Sequence, residues 1–129
     1  MDGEIAVIGS ANMDIGGYPA APLKAGESNP GRVRLCLGGV GCNIARNLAL
    51  LGVKVRFATA LGGDLYARGI AETLEGMGID LSLSLRLEQE HTSTYLFIAD
   101  EKGDMSVAVN DMAIYRHQTP AYFARLLPE

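Results

Sequence analysis

The sequence predicts an α/β fold on three observations. Residues 4–9 form an apolar, strand-like run, and residues 35–52 pass through glycines into an apolar-periodic helix. Residues 53–77 then repeat the strand–helix order, which implies a parallel sheet flanked by helices. Beyond residue 92 the pattern changes to two alternating strands around a tight turn, so a small second sheet is expected beside the main layer.

In chain order, Ile5-Ala6-Val7-Ile8 reads as a buried strand bounded by glycines. It runs into Ser10-Ala11-Asn12-Met13-Asp14, and ligands of open α/β sheets bind beyond the C-terminal ends of such strands. Asn12 and Asp14 are therefore candidates for gripping substrate hydroxyls, Asp14 as acceptor and Asn12 as donor or acceptor. Local stabilisation of the turn is the competing role for both. Residues 18–30 are a loop punctuated by Pro19, Pro22, Gly26 and Pro30, and residues 32–37 alternate as a half-exposed strand.

The stretch LCLGGVGCNIARNLALLG at 35–52 organises the chain. Gly38, Gly39 and Gly41 before a helix allow backbone N–H groups close approach to a ligand, and a helix N-terminus favours oxygen-rich groups. The same spacing also suits a strand–turn–helix that binds nothing. Ile44, Leu48 and Leu51 form the expected core-facing stripe, and Ala45 and Ala49 permit close packing on a sheet. Asn43, in the first turn, is placed to cap the helix or to reach a ligand. Residues 53–60 form the next strand and Leu61-Gly62-Gly63-Asp64 a short loop, with Asp64 as N-cap of the second helix. Ala67, Ile70, Ala71, Leu74 and Met77 are its buried stripe, and Gly78 ends it. Residues 92–100 and 104–110 are hairpin strands joined by Glu101-Lys102-Gly103, and Thr119-Pro120 starts a last helix.

Composition excludes several function classes. With 11 Lys and Arg against 15 Asp and Glu, a net charge of −4 and no basic cluster, neither nucleic acid nor an anionic membrane is expected as a partner. No apolar run approaches the roughly 18 residues that span a bilayer, and no signal-peptide pattern is present, so a cytoplasmic protein is expected. Cys36 and Cys42 read as free thiols. His91 and His117 are isolated, so no metal ligands are assigned. No nucleophile elbow or Walker sequence occurs, and the glycine cluster comes too late after the first strand for a dinucleotide fingerprint.

Taken together, Asn12-Met13-Asp14, Gly38-Gly39-Val40-Gly41-Cys42-Asn43-Ile44-Ala45, Leu51-Gly52, Leu61-Gly62-Gly63-Asp64 with Gly69, and the following hairpin resemble the PfkB (ribokinase-like) carbohydrate kinases. The resemblance covers essentially the whole chain but only the N-terminal portion of the family's usual length. Within the family it lies nearest the pseudouridine kinases, through Gly39-Val40-Gly41-Cys42-Asn43 and Val109-Asn110-Asp111-Met112-Ala113-Ile114-Tyr115. It implies a partial three-layer α/β/α core with a β-sheet lid drawn from about residues 13–18, 31–37 and 92–110.

The resemblance also implies that Asn12 and Asp14 hold ribose hydroxyls, that Gly39, Val40 and Asn43 complete the grip, and that Ser93, Thr94 or Asn110 meets the base of a nucleoside. The reaction would be γ-phosphoryl transfer from ATP to a primary hydroxyl, with Mg²⁺, and two subunits would meet through their lids. Other sugars or nucleosides are alternative acceptors. The family's Gly-Ala-Gly-Asp signature, which supplies anion hole and catalytic base, does not occur in these 129 residues. The chain is thus expected to lack the catalytic aspartate and the ATP site, to bind neither ATP nor Mg²⁺ tightly, and to be inactive alone. It would be the acceptor-binding part of a longer kinase, or a truncated, non-catalytic remnant that associates through its lid.

Overall fold

The computed structural model describes residues 3–126 and shows the α/β architecture that the sequence predicts. Strands β1 (Glu4–Ile8) and β4 (Lys54–Ala58) pair in parallel, as do β5 (Ala60–Gly62) and β6 (Leu85–Leu87). A separate four-stranded sheet has the order β3 (Gly31–Gly38), β2 (Asn12–Pro19), β7 (Thr94–Ala99), β8 (Met105–Asp111). Within it β2 runs antiparallel to β3 and parallel to β7, and β7–β8 is the hairpin. Helices α1 (Val40–Leu50), α2 (Leu65–Gly76) and α3 (Pro120–Leu126) complete the chain, with a 3₁₀ helix at Ala113–His117. Among the described residues no helix is long and apolar enough to cross a membrane.

The core joins Val7, Val55 and Phe57 of the strands to Cys42 and Ala45 of α1 and to Ile70 and Leu74 of α2. Asp64 caps α2 by accepting the Ala67 N–H at 2.9 Å, and Ala67, Ile70, Ala71 and Leu74 are buried, as their spacing requires. Thr119 caps α3 in the same way through Tyr122 N–H, at 3.3 Å.

Four expectations need correction. The buried face of α1 is Gly41, Cys42 and Ala45, whereas Ile44 and Leu51 are 47% and 78% exposed. Small residues are selected because α1 lies almost in backbone contact with the turn after β1: a Cβ on Gly41 would collide with Gly9, and one on Gly9 with Gly41. Asn43 does not cap α1; Gly39 does, at φ 96°, without a side-chain bond. The single strand expected at 53–60 is two strands broken at Thr59, whose N–H turns to Ser84 Oγ at 3.1 Å. Leu61 and Gly62, expected in a loop, therefore lie in β5, opposite a strand at 85–87 that the sequence reading left unassigned.

Candidate functional site

The site grows from the corner where β1 hands the chain to β2. Cys42 N–H donates to the Ser10 carbonyl at 2.9 Å, fixing the α1 N-terminus against that corner. A side chain on Gly39 would strike the same carbonyl, and the positive φ there suits glycine. Two of the three glycines therefore serve backbone-to-backbone packing. Gly38 has a different role. A Cβ on Gly38 would fall on the Asp14 carboxylate, so the missing side chain is what lets Asp14 lie across the end of β3.

Asp14 is half-buried, and burial raises its pKa above the ordinary carboxylate range. No hydrogen bond to its carboxylate is formed among the described residues. A partly desolvated carboxylate without a protein donor is available to ligand hydroxyls. Beside it Asn12 is 5% exposed, and its Oδ1 accepts from Ser93 Oγ at 2.7 Å. With the amide oxygen occupied, the Nδ2 group is left as the donor. Burial likewise pushes the Cys42 thiol up to about 11, with Arg46 opposing and Asp14 reinforcing, so that thiol is protonated near neutrality. Both cysteines are free, Cys36 exposed and Cys42 buried.

Strand register decides which other side chains share this face. Asp14 stands opposite Cys36 on β3 and Tyr95 on β7, and Tyr95 stands opposite Asn110 on β8. Ser93, Tyr95 and Phe97 thus line the face of Asn12 and Asp14, and so does Asn110. The structure does not bring Thr94 there: it pairs with Met13 and Asp111 on the opposite face. Val40 and Asn43 are exposed in the first turn of α1, next to Gly39. Tyr95 and Phe97 were missed by sequence reasoning. Their ring centroids are 6.1 Å apart, and Phe97 meets Tyr18 edge-on at 5.8 Å. The signal that could have found them is the period of two that joins Ser93 to Tyr95 and Phe97.

A polar network supports the corner from behind. The Tyr115 hydroxyl donates to the Ala11 carbonyl at 2.9 Å and accepts the Ala11 N–H at 2.8 Å, with Thr59 Oγ1 at 3.4 Å. Burial raises the Tyr115 pKa, keeping the phenol neutral and able to do both. Across the molecule Asp64 accepts from Thr92 N–H and Thr92 Oγ, each at 2.7 Å, as well as from Ala67.

Residues 2–125 match the family described as pfkB family carbohydrate kinase. The chain is 41% identical over 121 residues to the pseudouridine kinase of Escherichia coli K12, covering 94% of the chain and 39% of that protein. It is 34% identical over 107 residues to the guanosine-inosine kinase of Exiguobacterium acetylicum, covering 83% of the chain and 35% of that protein. Among solved structures, a carbohydrate kinase from Agrobacterium tumefaciens superposes with a TM-score of 0.81 at 30% identity, over 95% of this chain and 42% of that one. The chain therefore spans about two fifths of the length of these proteins.

Proposed function

Because the chain belongs to the pfkB family of carbohydrate kinases, we propose that it is the acceptor-binding and lid portion of an ATP-dependent nucleoside or sugar kinase, with pseudouridine as acceptor. The observation that carries the acceptor site is the Asp14 carboxylate, half-buried over Gly38 and without a protein donor. In this reading Asp14 accepts from the ribose hydroxyls and Asn12 Nδ2 donates to one, with Gly39, Val40 and Asn43 closing the ribose end. Tyr95 and Asn110 face the base, and Ser93 lies fully buried behind them with its hydroxyl on Asn12 Oδ1. The paired rings of Tyr95 and Phe97 favour an acceptor with a flat base over a free sugar. A purine nucleoside is the second reading, supported by the 34% identity to the guanosine-inosine kinase.

The reaction is transfer of the ATP γ-phosphoryl group to the 5′-hydroxyl. Phosphoryl transfer depends on positioning and charge stabilisation, and this chain supplies positioning: two ribose contacts fix the direction of the 5′-hydroxyl. The four-stranded sheet closes over the acceptor as a lid and keeps out water that would otherwise take the phosphoryl group. Mg²⁺, when bound with ATP, neutralises the phosphate charge. The described residues gather no group of three or more His, Cys, Asp or Glu suited to a metal, so no step is assigned to them through Mg²⁺. Without a Gly-Ala-Gly-Asp stretch the chain alone binds ATP weakly and does not turn over. Phosphoryl transfer by the purified chain, at a rate that follows its own concentration, would overturn that.

The lid's other face carries Val33, Leu35, Leu96, Val107 and Val109, exposed by 44–70%. Lid-to-lid dimerisation of two chains in the cytoplasm, burying these residues, belongs to the same reading. Sedimentation should show a dimer that Val109→Lys dissociates; a monomeric wild-type chain would remove this part.

Calorimetry with pseudouridine, uridine, ribose and fructose 6-phosphate tests the acceptor. Selective binding of pseudouridine that disappears in Asp14→Ala is the expected result. Equal binding of all four, or binding that survives Asp14→Ala, would overturn the assignment.

A further inference from the structure

The lid hairpin is held at both ends by one three-residue stretch of the β1–β2 corner, at its entrance by Asn12 and Met13 and at its exit by Ala11. At its entrance, Ser93 immediately precedes β7; its hydroxyl donates to Asn12 Oδ1 at 2.7 Å and its carbonyl accepts Met13 N–H at 2.9 Å. At its exit, four residues past the end of β8, Tyr115 takes both backbone groups of Ala11, at 2.8 and 2.9 Å. Residues 93 and 115 thus close around Ala11-Asn12-Met13, directly before Asp14. The Tyr115 bonds span 104 positions of sequence. The phenol also approaches Thr59 Oγ1 at 3.4 Å, where β4 gives way to β5, so the clamp is anchored to the core.

An ordinary structural tyrosine offers a contrast. Tyr122 is also buried, and its hydroxyl donates to the Leu83 carbonyl at 2.6 Å, far from the β1–β2 corner in the hydrogen-bond network. Tyr115 instead satisfies the N–H and the C=O of one residue, which a single hydroxyl can do only by donating and accepting together. Those two groups belong to the residue that turns the chain from the core into the acceptor-binding strand. Removing the phenol oxygen leaves both unpaired and frees the corner to rotate.

We propose that Tyr115 is a positioning residue for the acceptor site, holding Asn12 and Asp14 in place from the exit of the lid while Ser93 does so from its entrance. The inference rests on the acceptor reading given above for its ligand readout, but not for its backbone readout. Movement of the hairpin and placement of Asn12 are coupled because the same two side chains carry both. Acceptor binding therefore tightens the hairpin, and loosening the hairpin weakens the acceptor.

The test compares Tyr115→Phe, Ser93→Ala and Tyr122→Phe with the wild-type chain, by residue-resolved amide exchange and pseudouridine calorimetry. Each substitution removes one hydroxyl, and Tyr115→Phe should lower Tm the most, because it leaves two backbone groups unpaired where Tyr122→Phe leaves one. Tyr115→Phe should lose protection at Ala11 and across residues 94–111 together, and weaken pseudouridine by about tenfold. Tyr122→Phe should leave affinity and hairpin protection unchanged. Ser93→Ala should act in the direction of Tyr115→Phe, and the double variant should lose less than the sum, as members of one clamp do. Faster exchange at Ala11 alone, with hairpin protection unchanged, would overturn the proposal, as would an affinity loss in Tyr122→Phe equal to that in Tyr115→Phe. If the wild-type chain binds no nucleoside, the acceptor reading fails and the exchange pattern alone decides the clamp. If Tyr115→Phe does not fold, Ser93→Ala carries the same comparison.

Discussion

Two aspartates in this chain follow the same recipe and end differently. Asp14 and Asp64 each sit at a glycine-lined corner, Asp14 over Gly38 and Asp64 after Gly62 and Gly63, where residues 88–92 cross too closely for a side chain. Asp64 accepts three hydrogen bonds, from Ala67 N–H, Thr92 N–H and Thr92 Oγ. Burial alone would raise its pKa, but the bonds from Thr92 and Ala67 outweigh burial and leave it lowered. Asp14 has burial without the bonds, and its pKa is raised. A carboxylate that the fold has satisfied is structural. One that the fold has desolvated and left unsatisfied keeps its acceptor capacity open, and the proposed acceptor site rests on that.

The largest effect that should sharpen this contrast is on binding. Asp14→Ala should weaken pseudouridine by about 100-fold, because bonds to a charged acceptor contribute about 1.5–3 kcal/mol each. Its Tm should stay within about 1 °C of wild type, since no protein bond is lost; calorimetry and thermal melts read the two sides. Asp64→Ala should do the reverse. Loss of the α2 cap and of the partners of Thr92 should cost about 2 kcal/mol in urea unfolding, with acceptor affinity unchanged in the folded fraction. Gly38→Ala comes next: its methyl displaces the Asp14 carboxylate and should lower affinity about tenfold, with a smaller loss of stability. Affinity that survives Gly38→Ala would mean that the carboxylate need not lie over β3.

The smallest effects are in pH, and they have opposite signs. Asp64, lowered in the folded state, contributes stability above the ordinary carboxylate range that is lost as pH falls through its folded pKa. Asp14, raised in the folded state, contributes stability below that range that is lost as pH rises through its folded pKa. Asp64→Asn should therefore flatten the acid limb of an unfolding-versus-pH curve. Asp14→Asn should raise the plateau above it. The same direction of change in both variants would erase the distinction.

Much of this was legible in the residues themselves. The Asp64 cap, the α2 stripe, the 94–111 hairpin and the Thr119-Pro120 helix start each depend on neighbours within a few positions, where spacing and turn chemistry decide. Asn12 and Asp14 were legible as candidates because they follow a buried strand, but their shared face was not, since it comes from their place at the start of β2 rather than in a turn. The phase of α1 was not. Ile44, Leu48 and Leu51 make as good a stripe as Cys42, Ala45 and Ala49, but of the first only Leu48 packs on the core, because the approach of Gly41 to Gly9 turns the small residues inward. Nor was the break at Thr59, which depends on Ser84, 25 positions away.

The sequence by itself determined the α/β class, the family and the acids that could serve it, because periodicity, caps and glycine turns act over short range. Tertiary structure decided which acid is free, which aromatic rings share its face and what holds the corner in place. Those depend on strand register and on bonds such as Tyr115 to Ala11, across 104 positions. A side chain's chemistry is local, but whether its hydrogen bonds are already satisfied is settled by residues brought to it from elsewhere in the chain.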